Sequence, residues 1–392
     1  MSRTSEVARS RTPIYPHWWV YTGDGIPRDS DDDCAIPEPP PWRSFHGGPL
    51  QPRPPADEEV ITRKLGEPVD QATRRAQPHE GDMVNAAIHL SRPLLVTGSP
   101  GTGKSSLAYR IARELRLGRV LNWPITSRST LHQGLYDYDA IGRAQAVAAI
   151  RATWLTQGAT GALEGSGPQG SGHRVSGSHD SGPHGGGWDR PGPAGGAPDE
   201  ANIGDFVRLG PLGTALLAYD RPRVLLVDEL DKSDVDLPND LLHVFEDGSF
   251  TIPELVRARR HHARVNVYTD DPDGTAVVHD GRVRCYRFPI VVITSNGERE
   301  FPPAFLRRCL RLKIDAPDAE ELAAMVRAQL PDRAARARPL IDAFLSRGVN
   351  DPVARDQLLN AIYLTTSGAY DGDEPAKEAL VKAIWPPLST EL

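Results

Sequence analysis

Residues 98–106 read GSPGTGKSS. They fit the pattern G-x-x-x-x-G-K-[ST] at every fixed position, between an apolar run (PLLVTG, 93–98) and a helical pattern (KSSLAYRIARELRL, 104–117). The context matters, because the pattern has a mechanism only on a strand–loop–helix turn. Gly98, Gly101 and Gly103 allow a tight turn whose successive N–H groups point inward, and the helix that follows adds its positive dipole end. Such a loop cradles the phosphates of a nucleoside triphosphate. Ser99, Pro100, Thr102 and Ser106 complete it. Lys104 is spaced to reach the β- and γ-phosphates, and the Ser105 hydroxyl to complete the coordination of Mg²⁺.

A phosphate loop calls for an acidic partner at the end of a neighbouring strand. RVLLVDE (223–229) supplies Asp228 and Glu229 after an apolar run. Asp228 can hold Mg²⁺ through its water shell, and Glu229 can orient an attacking water or accept its proton. Asp231 and Asp234, just beyond, read as solvated or helix-capping. A third apolar run, PIVVITSN (289–296), ends in Asn296, and its strand is expected between the other two. A neutral amide there can donate to a γ-phosphate and accept from a water. Arg307 and Arg308 follow on a short segment expected to face away from the same molecule's nucleotide. Paired guanidiniums in that place make sense if they serve the site of a neighbouring copy; surface ion pairing is the plainer alternative.

The remaining pattern is a wound α/β domain. VLNWPI (120–125) and LRLKID (310–315) complete a set of five strands, whose uniform apolar character predicts a parallel sheet buried on both faces. DLPNDLLHVFED (236–247) reads as a helix between them. Beyond Pro317 the pattern is helical only, over roughly 318–330, 332–347, 352–366 and 373–385. The expected organisation is therefore a proline-rich, partly extended segment (1–77), an α/β domain (78–316) and a small α-helical domain (317–392). Two insertions interrupt the α/β domain. Residues 157–200 are rich in Gly, Pro and Ser and read as a flexible loop, in which His173, His179 and His184 match no metal-ligand spacing. Residues 262–288, with turn signals DDPDGT and HDG, read as a β-hairpin.

The first 60 residues hold 11 of the 36 prolines, yet also Trp18, Trp19, Tyr21, Trp42 and Phe45. Aromatics are scarce in disordered chains, so the segment is expected to lie across the folded body. A formal net charge of −7 over 392 residues argues against a broad basic face for duplex nucleic acid. Three scattered cysteines (Cys34, Cys285, Cys309) form neither a disulfide framework nor a CxxC site. No window approaches a membrane span or signal peptide. These features together predict a cytoplasmic protein without membrane contact.

In this order, the motifs resemble those of the AAA+ ATPases, over roughly residues 80–392. Within that class RLGPLGTALL (208–217), DELDKSDVDLPNDLLHVFEDGSF (228–250) and PPAFLRRCLRL (302–312) resemble the MoxR-like, dynein-related branch with helix-2 inserts. The resemblance implies a P-loop core with a five-stranded parallel sheet and an α-helical lid, ATP and Mg²⁺ as ligands, and ATP hydrolysis in a ring, a hexamer in this class. It makes Arg308 the arginine finger ahead of Arg307. It also makes Arg355 the lid's sensor arginine, although Arg355 stands two positions past Val353, where the family pattern has its arginine. Residues 78–93 would pass near the base. Relatives of this branch work on protein clients, commonly with von Willebrand factor A-type partners. The TSRSTLHQGLYDYDAIGR segment (126–143) resembles components of bacterial conflict systems. Two other readings compete: a nucleic-acid-dependent translocase using Arg282, Arg284 and Arg287 of the hairpin, and a slow nucleotide switch that only binds.

Overall fold

The computed structural model describes residues 15–28, 35–67, 77–163, 201–348, 355–366, 379–381 and 383–385. After an extended segment come α1 (Glu58–Leu65) and α2 (Pro78–Leu90), each opened by a residue suited to a helix start: Asp57 caps α1 through Val60 N, and Pro78 begins α2. β1 (Leu94–Thr97), α3 (Ser106–Glu114) and β2 (Leu121–Pro124) follow. Next are α4 (Leu131–Leu135), β3 (Tyr136–Tyr138), α5 (Ala140–Leu163), β4 (Val207–Leu209) and α6 (Pro211–Ala215). The acidic strand β5 (Val224–Asp228) leads to α7 (Leu237–Asp247), which ends at Gly248 in the left-handed conformation. Then come β6 (Ser249–Thr251), α8 (Pro253–Ala258), β7 (Arg264–Tyr268), β8 (Thr275–His279), β9 (Arg282–Arg284) and β10 (Ile290–Ser295). The chain continues through α9 (Pro303–Leu306), β11 (Leu310–Lys313), α10 (Ala319–Gln329), α11 (Arg338–Gly348) and α12 (Arg355–Thr366).

Five strands form one all-parallel sheet in the order β11-β1-β10-β5-β2. All five coincide with the apolar runs of the sequence, and the Asn296 strand lies between the phosphate-loop strand and the acidic strand as expected. Alternate residues feed opposite cores. Leu95, Leu225, Val227, Val291 and Ile293 enter one cluster, while Leu94, Val96, Val224, Leu226 and Val292 enter the other. Burial on both faces explains the lack of hydrophobic alternation in β1, β5 and β10; the expectation fails at the two edges, where β2 and β11 have one face uncovered and alternate buried with exposed residues. The α/β class and the five-stranded parallel P-loop core implied by the AAA+ resemblance are thus the observed architecture.

A second sheet was only partly foreseen. The expected hairpin over 262–288 is three strands, β7 to β9, and they belong to a six-stranded sheet in the order β3-β4-β7-β8-β9-β6. Its inner residues Phe250, Val265, Val267, Ala276, Val278 and Val283 join the same core as β5 and β10. A buried ion pair also ties the two sheets: Arg223, at the start of β5, meets both oxygens of Asp271 in the β7–β8 turn at 2.8 Å.

Two further expectations need correction. The first part of the presumed flexible loop, 157–163, is helical, because its Gln, Ala and Leu residues extend the Ala-rich α5; residues 164–200, with the three histidines, lie outside the described residues. The helix expected over 332–347 is a 3₁₀ turn (Pro331–Arg336) followed by α11, since Pro339 is tolerated only in the first turn of a helix. The segment before residue 77, expected to be partly extended, contains α1, which packs on α3.

As its aromatics imply, residues 15–28 lie on the body. The Asn85 side chain accepts from Val20 N and Tyr21 N and donates to Tyr21 O, as a strand neighbour would. Glu114, fully buried at the end of α3, accepts from Thr22 N at 2.5 Å, Gly23 N at 2.9 Å and Arg28 at 2.7 Å. The C-terminal helices form a small separate core around Leu322, Val326, Ile341, Phe344, Leu358 and Trp385. Cys285 and Cys309 are buried, and burial pushes both thiols up to about 12; Cys34 lies outside the described residues. Among the described residues no helix is long and apolar enough to cross a membrane.

Candidate functional site

The phosphate loop forms the turn its glycines predict. Gly101 and Gly103 sit at φ 75° and 81°, a region where a side chain is strained. The Thr102 hydroxyl donates to Ser99 O at 2.9 Å and closes the turn. Lys104 is buried, and its ammonium donates to Gly98 O (2.8 Å), Ser99 O (2.9 Å) and Asn296 Oδ1 (2.7 Å). Burial lowers the lysine's pKa, while the carboxylates of Asp231, Asp228 and Glu229 oppose that shift. The loop lysine and the amide at the end of β10 are therefore in direct contact, 192 residues apart in sequence.

Beside them Asp228 Oδ1 accepts from Ser105 Oγ at 2.6 Å and from Thr294 Oγ1 at 2.7 Å. Thr294 Oγ1 in turn accepts from Glu229 N at 2.8 Å. β5, β10 and the start of α3 are thereby locked at their carboxyl-end rim, where open parallel sheets place ligands. Glu229 has φ 62° and ψ 50°, an unusual conformation for a residue with a side chain, costing about 1–2 kcal/mol. The turn lets its carboxylate line the cavity, where Lys232 holds Oε2 at 2.6 Å. The hydrogen bond to Glu229 raises the Lys232 pKa. A serine hydroxyl and a carboxylate oxygen 2.6 Å apart suit a hard cation that keeps several waters, which fits Mg²⁺.

Asp231 is not solvated. It is 3% exposed, because the 3₁₀ turn Leu230–Lys232 folds it under the strand ends. Its Oδ2 accepts from Asn296 N at 2.9 Å and Glu298 N at 3.1 Å. Arg299 donates to Ser233 O at 2.6 Å, so the loop after β10 is clasped to the turn after β5. Sequence reasoning missed this because an aspartate three residues past a strand carries no local mark of burial. Asp234 does stay near the surface, accepting from Val235 N.

These groups line a cavity of about 440 Å³. Pro100, Gly101, Gly103, Lys104, Ser105, Ser106, Asp228, Glu229 and Asn296 all contribute to its wall. Gly98, Ser99 and Thr102 lie behind it, giving carbonyls to Lys104 or bracing the turn. Its wall also includes Asp24 and Gly25, Leu65 on α1, Met325 on α10 and Leu359 on α12. None of residues 78–93 lines it; α2 carries the 15–28 segment through Asp82 and Asn85, and its Glu80 pairs with Arg110 of the wall at 2.7 Å. No local signal marks Asp24 or Leu65, since both arrive by tertiary folding.

Arg307 and Arg308 are exposed at the end of α9 and do not line the cavity. Arg308 donates to Ala304 O at 3.3 Å and lies 3.5 Å from Glu246. Arg355 opens α12, whose Asp356 and Leu359 line the cavity, but the Arg355 side chain lies outside the described residues.

Neither a protein-family model nor a curated protein sequence matches the chain. Among solved structures it is similar to the FIGL-1 AAA domain in complex with ADP, at 14% identity and a TM-score of 0.31, over 77% of this chain and 74% of that one. A likeness that weak adds nothing to the geometry above. The architecture rests on the strand order and the phosphate loop themselves.

Proposed function

We propose that the chain is an ATP hydrolase of the AAA+ class and of its MoxR-like branch. The observation that carries the reading is the hydrogen-bonded set Lys104–Asn296 and Ser105–Asp228–Thr294–Glu229, gathered from three adjacent parallel strands around one cavity. The loop N–H groups and Lys104 bind the β- and γ-phosphates, with Lys104 exchanging loop carbonyls for phosphate oxygens. Ser105 and Asp228 would hold Mg²⁺, which neutralises charge on the phosphates when bound. Glu229 orients the attacking water and takes its proton, releasing Lys232 to do so. Asn296 holds the water and the γ-phosphate in line. Arg308, with Arg307 second, completes the site of a neighbouring subunit in a ring, a hexamer in this class. Arg355 acts as the lid's sensor. The hydrolysis cycle would remodel or regulate a protein client in the cytoplasm, with a von Willebrand factor A-type partner and a bacterial conflict system as the setting the resemblance favours.

The test is the ATPase rate per subunit against protein concentration, for wild type, Arg308→Ala and Lys104→Ala. The expected wild-type rate climbs with concentration. Arg308→Ala stays lower by about 10³-fold or more while still binding ATP, and Lys104→Ala neither binds nor hydrolyses. A concentration-independent rate unaffected by Arg308→Ala removes the ring and finger. A wild type that binds ATP without turnover leaves a nucleotide switch.

A further inference from the structure

The outward face of the six-stranded sheet is an arginine field. Between residues 257 and 284 the chain carries Arg257, Arg259, Arg260, Arg264, Arg282 and Arg284 and no lysine, and all six are exposed. Register gathers them. Arg264 stands opposite His279, and His279 opposite Arg282, so the three form one row across β7, β8 and β9, with Arg284 in the next row opposite Ser249. Asp280 N donates to Ala263 O and Ile252 N to Gly281 O, which brings the start of α8 and the segment between it and β7, with Arg257, Arg259 and Arg260 between these two anchors, to the same end of the sheet. Among the described residues none of the six makes an ion pair or a side-chain hydrogen bond, whereas Asp270 and Asp271 of this stretch are committed to Arg119 and Arg223. The other acids of the stretch, Asp273 and Asp280, are two exposed carboxylates against six exposed guanidiniums; such an excess of like charge is a cost, here in a chain of net charge −7.

We infer that this face docks an acidic segment of a partner protein. Guanidinium forks suit carboxylates, which they can grip through two parallel hydrogen bonds. Beside the row lies a shallow groove of about 450 Å³, where Pro49 and Val277 offer apolar walls and Arg264, Asn266 and His279 offer polar ones. An extended peptide that alternates acidic and apolar side chains matches both features. Single-stranded nucleic acid is the poorer fit. It needs successive aromatic platforms for its bases, and along the outward positions of β4 and β7–β9 Tyr268 is the only tyrosine, phenylalanine or tryptophan. Arg287, which the sequence groups with Arg282 and Arg284, is drawn away to Glu38.

The probes are a fluorescein-labelled peptide of alternating glutamate and leucine, a lysine–leucine peptide of the same length, and a labelled oligothymidylate of matched charge. Binding is read by anisotropy at two salt concentrations, against wild type and the double variant Arg264→Glu/Arg282→Glu. The acidic peptide is expected to bind wild type in a salt-sensitive manner, and the double variant about tenfold more weakly or worse. Thermal midpoint and ATP binding should be unchanged, because neither arginine is buried or lines the nucleotide cavity. The inference is overturned if wild type ignores the acidic peptide, if the lysine peptide binds equally, or if the double variant binds like wild type. Tighter, variant-sensitive binding of oligothymidylate reassigns the face to nucleic acid, and loss of self-association in the double variant makes it a contact between copies; either result also overturns it. No arm depends on ATP turnover, so its outcome is separable from the hydrolase proposal.

Discussion

In the parallel sheet every central strand is covered on both faces, whereas the six-stranded sheet keeps one face in the core and the other in water. β5 and β10 are apolar along almost their whole length and end in the groups that meet at the cavity. β7 and β8 alternate buried and exposed residues and end in turns. The first arrangement spends its side-chain identity on packing and leaves chemistry to the residues just past the strand ends. The second can change every other residue without touching the core, and its outward positions have become an arginine field. Both sheets nevertheless contribute to one cluster of buried residues and are joined by Arg223 and Asp271. They are best understood as one cooperative unit with a fixed side and a variable side.

That understanding can be broken most directly at the joint. Asp271→Ala leaves the guanidinium of Arg223, 1% exposed, without its carboxylate, and is expected to destabilise the whole α/β domain by about 3–5 kcal/mol. Urea unfolding followed by both circular dichroism and tryptophan fluorescence should show one transition moved to lower denaturant. Two separated transitions would mean that the sheets unfold independently. A smaller effect is expected at the clasp behind the candidate site. Asp231→Ala strands the N–H groups of Asn296 and Glu298, a loss of about 2 kcal/mol. Amide exchange should speed at 296–299 while β10 itself stays protected. If β10 loses protection equally, Asp231 supports the strand rather than the loop.

The least effect separates two adjacent valines. Val278 is buried under the second sheet and Val277 is 39% exposed on its outer face. Val278→Ala should cost about 2 kcal/mol and Val277→Ala less than about 0.5 kcal/mol. Equal losses would show that the outer face is packed against something in solution.

The same contrast decides what could be read from the chain alone. The parallel strands were legible because unbroken apolar runs beside a phosphate loop have few other meanings. Asn296 could be placed between its neighbours for that reason, and its contact with Lys104 follows from the strand order. The six-stranded sheet was legible only where a hairpin with Asp-Gly turns announced itself. β3, β4 and β6 are three residues each, too short for any period to show. Asp231 and the cavity walls at Asp24 and Leu65 escaped for a different reason. Their role depends on where distant segments land, which no local pattern encodes. Pro339, by contrast, carries a local signal, since a proline in the middle of a helical pattern marks a boundary.

The clasp at Glu114 bears on anyone who trims this chain. Its carboxylate is held by Thr22, Gly23 and Arg28, and burial together with the nearby Asp24 raises its pKa against the pull of Thr22 and Arg28. A shortened version that begins at α2 would look tidy by motif, since every candidate catalytic group would survive. It would also strip the donors from a carboxylate at the foot of the phosphate-loop helix and remove Asp24 and Gly25 from the cavity wall. Weak nucleotide affinity in such a fragment would report on the cut, not on the protein.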